Sequence, residues 1–150
     1  MKKTNIYGSD KQREVNPAWF TGRVWMKDIS LNGIEADMYH VHFEEGSRTK
    51  VHKHDGSQTL MVTEGQGSLE IYQADTKESV DGSFKITKTD EIALDAGDIV
   101  HIPKDTLHTH GATSADRAFS HVAINNRPCG IGEYITTWYN TNKNTVTGRI

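Results

Sequence analysis

Turn signals recur along this chain at intervals that leave little room for helices. Glu45-Gly46-Ser47, Asp55-Gly56, Glu64-Gly65, Asp81-Gly82 and Asp95-Ala96-Gly97-Asp98 punctuate the sequence, and Pro103 breaks it again. Gly and Asp at such places set turns, and the stretches between them have β length. The run from Ala36 to Glu45 alternates, with Met38, His40 and His42 on one face and Tyr39, Val41 and Phe43 on the other. Further strands are predicted at Val24–Lys27, Thr49–His54, Gln58–Thr63, Gly67–Gln73, Glu91–Leu94, Ile99–Ile102, Leu107–His110 and Ala118–Ile124. The polar stretch 74–90 reads as a hairpin excursion at the rim, with Phe84 and Ile86 among its few apolar residues. The tail from Gly130 to Ile150 reads as a strand or as one short helix around Glu133 to Tyr139. Together these imply an all-β sandwich or barrel. Residues 1–17 form a polar N-terminal arm, expected to be loose or to lie across a neighbouring subunit, and residues 18–150 form the barrel domain.

At 150 residues the chain is the size of one domain. Its formal charge of −3 and the lack of a basic stripe exclude nucleic acid as an expected partner. No stretch approaches the ~18–20 apolar residues of a membrane span, and no apolar run follows the charged N-terminus. A cytoplasmic location is the default expectation. Cys129 is the single cysteine, so a Cys-rich zinc site is excluded. Open sheet edges and the polar arm favour a homodimer or homotetramer.

Within this β frame, His52-Lys53-His54 places two imidazoles on one face of a strand. The Asp55-Gly56 turn lets the chain reverse and present the Gln58 amide, and His108 adds a third imidazole from a distant strand. Three nitrogens and one oxygen make a first-row divalent metal site with open positions, admitting Mn, Fe, Co, Ni or Zn. A neutral glutamine leaves the ion its full charge, which favours Lewis-acid chemistry. His110 shares the face of His108 and is the candidate acid or base. Thr49, ahead of the ligand strand, is a candidate to hydrogen-bond a substrate oxygen. Trp25, Trp138, Phe43, Tyr39 and Met61 are expected in the core or cavity wall. His40 and His42 are expected on the outer face, and His101 in a structural role.

The spacings Gly46-x5-His52-x-His54-x3-Gln58-x6-Gly65 and Gly97-x5-Pro103-x-Asp105-x2-His108 resemble the two motifs of the cupin superfamily. Gln58 stands where a Glu ligand is usual, Asp105 where a Gly is, and Ala112 where an Asn often ends the second motif. Trp19-Phe20-Thr21-Gly22, Gln58-Thr59-Leu60, His108-x-His110-Gly111-Ala112 and Ser120-His121-Val122-Ala123-Ile124 are similar to the small hydroxynitrile-lyase-like cupins. The resemblance implies a single-domain double-stranded jelly roll with His52, His54, Gln58 and His108 around one metal per chain, manganese by preference and then iron. It also implies His110 as acid/base and His121 as a cavity histidine; the chain departs from that subgroup in the 74–90 excursion and in Tyr39 and Asn125 at cavity positions.

The expectation is therefore a metal-dependent enzyme on a small oxygenated substrate. A lyase-type reaction such as cyanohydrin cleavage comes first, with Thr49 and His121 orienting the substrate and His110 moving the proton. The alternatives are an Fe(II) or Mn(II) dioxygenase cleaving a dicarbonyl or enediol, and a non-catalytic ligand-binding or sensing barrel.

Overall fold

The computed structural model describes residues 1–8, 12–31, 35–75, 85–130, 133–140 and 145–149. Thirteen strands run through them. They are β1 (Gln12–Glu14), β2 (Phe20–Thr21), β3 (Val24–Asp28), β4 (Ala36–Phe43), β5 (Arg48–Thr49), β6 (His52–His54) and β7 (Gln58–Ala74). β8 (Ile86–Asp95), β9 (Ile99–Ile102), β10 (Leu107–Ala112), β11 (Phe119–Asn126), β12 (Thr136–Asn140) and β13 (Thr145–Arg149) follow. A single 3-10 turn at Pro128–Gly130 is the one helical element among the described residues. No helix there is long and apolar enough to cross a membrane.

Every described strand pairing is antiparallel, and the sheet curls into two layers as an all-β jelly roll. One layer runs β1-β3-β4-β11 onto the first half of β7, with β9 on its far side. The other contains β8, the second half of β7, β10, β6, β12 and β13. β7 belongs to both. Residues 58–65 pair with β11, and residues 67–72 with β10.

This corrects the expectation of two strands separated by a turn at Glu64-Gly65. Gly65 does adopt a left-handed φ of 76°. A Cβ there would run into the carbonyl of Ala118, so glycine lets the strand bend without ending. Phe43, Leu60, Leu69, Ile102 and Phe119 fill the space between the layers with almost no exposure.

Several other elements differ from the sequence reading. The segment before Trp19 lies on its own chain, because β1 pairs β3 from Gln12↔Lys27 to Glu14↔Trp25. Val15 is buried there, and Lys27 Nζ donates to the carbonyls of Asn5 (2.7 Å) and Gly8 (2.9 Å). A buried ammonium needs such partners, and the N-terminal peptide provides them. Of the two readings of the tail, strand holds at Thr136–Asn140 and Thr145–Arg149, where β12 pairs β6 and β13. The rim excursion is a hairpin of β7 and β8 as far as Ala74↔Ile86, while its tip, with Asp81-Gly82 and Phe84, lies outside the described residues. Met61 is on the outer surface, 39% exposed, because period-2 alternation from the buried Leu60 turns it away from the core. His40 and His42 are on the outer face as expected, but residues 6–8 of the same chain help to cover them.

Candidate metal centre

His52 and His54 point inward from β6 while Lys53 points outward, as strand alternation requires. β10 runs beside β6 with His108 directly opposite His52. One ring nitrogen from each of His52, His54 and His108 lies within 4.8 Å of the others, and all three rings are buried. The pairings fix which nitrogen faces inward. Nδ1 of His52 is 2.8 Å from the carbonyl of Lys50, and Nδ1 of His108 is 2.8 Å from that of Thr106. Each carbonyl can only accept, so each Nδ1 carries the proton and Nε2 keeps its lone pair. His54 Nδ1 is 2.8 Å from the Thr136 hydroxyl on β12.

Gln58 faces the cavity of His52 and His54 from the opposite layer. Its Nε2 donates to Asn125 Oδ1 at 2.9 Å, across the register pair Asn125↔Gln58. That bond uses one of the two amide N–H groups and turns Oε1 away from Asn125. His54 Nε2, His108 Nε2 and Gln58 Oε1 are all buried and have no hydrogen-bond partner among the described residues. The orphaned ring nitrogens of two histidines and an orphaned amide oxygen, beside the third histidine His52, are what a bound cation would satisfy. The residues present therefore fit a divalent metal held by His52, His54, His108 and Gln58.

The electrostatics agree. Burial, reinforced by the neighbouring histidines, holds His52 and His54 well below the usual imidazole range, and burial lowers His108 to about 4. The rings are neutral at pH 7, the form that binds a metal.

His52, His54 and Gln58 line a cavity of about 390 Å³. His110, two residues beyond His108, is 4% exposed and lines it too. Its Nδ1 lies 3.1 Å from Nε2 of His121, a fully buried ring on β11. Burial first, then the neighbouring His121, pushes His110 well down, and burial takes His121 to about 3. Thr49 also lines the cavity, and its Oγ1 accepts the backbone N–H of His110 at 3.0 Å.

Tyr39 and Asn125 are cavity residues, and so is Trp138, which packs on His52 with ring centroids 4.5 Å apart. Trp25 instead sits outside, its Nε1 donating to Glu44 at 2.9 Å, and His101 is exposed.

Sequence reasoning did not find Asn125 as the residue that orients Gln58, Thr136 as the partner of His54, or Tyr134 packed with its ring centroid 4.7 Å from that of His54. Each comes from a strand or loop distant in sequence, and no local spacing signals it. It also missed a network behind the site. Arg48 donates to Ser68 Oγ (2.9 Å) and Thr109 Oγ1 (3.1 Å), and Thr109 donates to Glu70 (3.1 Å).

No family model matches the sequence, and no curated protein matches it. Among solved structures the chain is similar to a cupin-like protein from Thermotoga maritima, with 30% identity and a TM-score of 0.61 over 88% of this chain and 92% of that one. It is also similar to a cupin-2 domain protein from Rhodospirillum rubrum, at 16% identity and a TM-score of 0.61 over 89% and 79% of the two chains. A Thermotoga maritima protein described as a predicted oxalate decarboxylase aligns at 16% identity and a TM-score of 0.59 over 83% and 100%. The last two similarities speak to the fold alone. With the two-layered barrel, the inward histidine group and nearly full-length similarity to the first of these proteins, the chain belongs to the cupin superfamily.

Proposed function

We propose that this cupin is a divalent-metal-dependent enzyme acting on a small oxygenated organic molecule, through a lyase-type reaction of the hydroxynitrile-lyase kind. Manganese is the preferred ion, followed by Fe(II). The observation that carries the reading is the buried His110–His121 pair set beside the metal-ligand group in one cavity. When bound, the ion supplies Lewis acidity at a substrate oxygen, undiminished by the neutral Gln58 amide.

The chain's own part is proton handling. His110 Nδ1 and His121 Nε2 share one proton. If His121 holds it, His110 is protonated at Nε2 and offers an N–H to the cavity, and the partnerless His121 Nδ1 is only a lone pair. If His110 holds it, His110 Nε2 accepts, and His121 buries an unmet N–H at a cost of about 1–3 kcal/mol. The resting pair therefore presents His110 as a donor, the form that protonates a leaving group. In cyanohydrin cleavage the carbon–cyanide bond breaks, the hydroxyl gives up its proton as it becomes a carbonyl, and cyanide gains one to leave as hydrogen cyanide; His110 Nε2 gives its proton to cyanide and takes the hydroxyl's in its place, so the pair ends as it began. His121 works through His110, and Thr49 holds the backbone of His110 in place.

The test is mandelonitrile cleavage by the Mn(II)-loaded full chain, followed as benzaldehyde release under nitrogen. Turnover should need no oxygen. His110→Gln should lower kcat by about 100-fold or more while metal content stays unchanged. Full activity in that variant, or a strict oxygen requirement, would overturn the reading.

A further inference from the structure

The cavity carries more hydrogen-bond donors than acceptors once the metal group is set aside. Asn125 spends its Oδ1 on Gln58, so only its N–H groups remain, and these have no partner among the described residues. Tyr134 and Trp138 also line the cavity, with their O–H and Nε1–H closed off from it. Burial raises the Tyr134 phenol far above its usual range, so it stays neutral. Thr49 Oγ1, an acceptor, is already engaged by the His110 backbone.

The charge follows the same trend. Arg13 and Asp37 are the charged residues of the lining. Asp37 is held by Arg127 at 2.6 Å. Arg13 has no carboxylate partner among the described residues, and its one hydrogen bond there runs to the Met26 sulfur at 3.5 Å, a weak acceptor. Its neighbour Glu14 is turned to Arg23 at 3.7 Å, and the exposed Asp28 accepts the Ser30 N–H. A guanidinium is therefore left over at the cavity. β1 delivers it from the layer opposite the histidines.

We propose that the substrate of this site is a carboxylate, its charged end taken by Arg13 while its oxygen-bearing carbon lies towards the histidine group. The planar guanidinium fork matches a carboxylate, and one cation with neutral donors balances a monoanion better than a phosphate dianion. The free Asn125 N–H groups supply the remaining donors. The inference deepens the proposed function and rests on the cavity being its substrate site.

Calorimetric titration of the Mn(II)-loaded full chain with mandelate and with its neutral methyl ester tests it. Mandelate should bind about tenfold more tightly than the ester. Arg13→Gln should remove that preference and leave the ester's affinity unchanged, and Arg13→Lys should restore part of it. Arg13 is exposed on an edge strand, so the variants should fold. A mandelate preference that survives in Arg13→Gln means that another cation holds the carboxylate, and overturns the proposal. Equal binding of the two probes overturns it, and so does binding of neither. Metal content read on the same samples separates the two claims, since failure to load metal defeats the proposed function instead.

Discussion

At the scale of single residues, the site depends on side chains that touch no ligand. Asn125 decides which way the Gln58 amide faces, and Thr136 holds the tilt of the His54 ring. Asn125→Ala should free that amide and weaken metal binding by about 10–100-fold with the barrel intact, read by titration against a competing chelator. Thr136→Val keeps the shape, loses the partner of His54 Nδ1, and should weaken binding within the same range. His121→Phe should leave metal affinity unchanged and alter the pH dependence of turnover, because His110 then loses the ring that sets its tautomer. An unchanged pH profile would exclude His121 from proton handling.

At the scale of elements, two backbone positions carry strain or relieve it. Asp105 sits at a φ of 62°, in the left-handed region, and its N–H holds the carbonyl of His54 at 2.8 Å. Its carboxylate reaches only Lys53 at 3.7 Å, an exposed ion pair of little value. Asp105→Gly should therefore stabilise the chain by about 0.5–1 kcal/mol in urea unfolding. Gly65→Ala should cost about 2 kcal/mol or more, because φ is positive there and the new Cβ meets the Ala118 carbonyl. Both positions were visible as turn signals. Continuity of β7 through Gly65 was not, since a glycine that ends a strand and one that bends it look the same in sequence.

At the scale of the whole molecule, the buried histidines tie stability to pH. Their folded-state values are lowered, so the unfolded chain binds protons first as pH falls. Their stability contribution is intact above about pH 6.5 and is lost below it, a loss that for His108 continues to about 4 and for His121 to about 3. Each such ring steepens the slope by about 1.4 kcal/mol per pH unit. Thermal melts of the metal-free chain should drop steeply between pH 6.5 and 5, and a flat profile would contradict the burial. Mn(II) at about 100 times its dissociation constant should add about 2.7 kcal/mol, or roughly 5–10 °C in Tm, reversed by chelator.

The sequence by itself determined the β class, most of the described turns, the inward pair His52 and His54, and the distant His108 that joins them. These follow from period-2 alternation and from glycine and proline at turns, which act over a few residues and leave a local pattern. The tertiary structure alone decided that β12 lies beside β6, so that Thr136, Trp138 and Tyr134 meet the histidines. It alone decided that the N-terminal segment docks as β1 and carries Arg13 to the cavity. Strand neighbours far apart in sequence are chosen by how the whole sheet closes, and no local spacing encodes that choice.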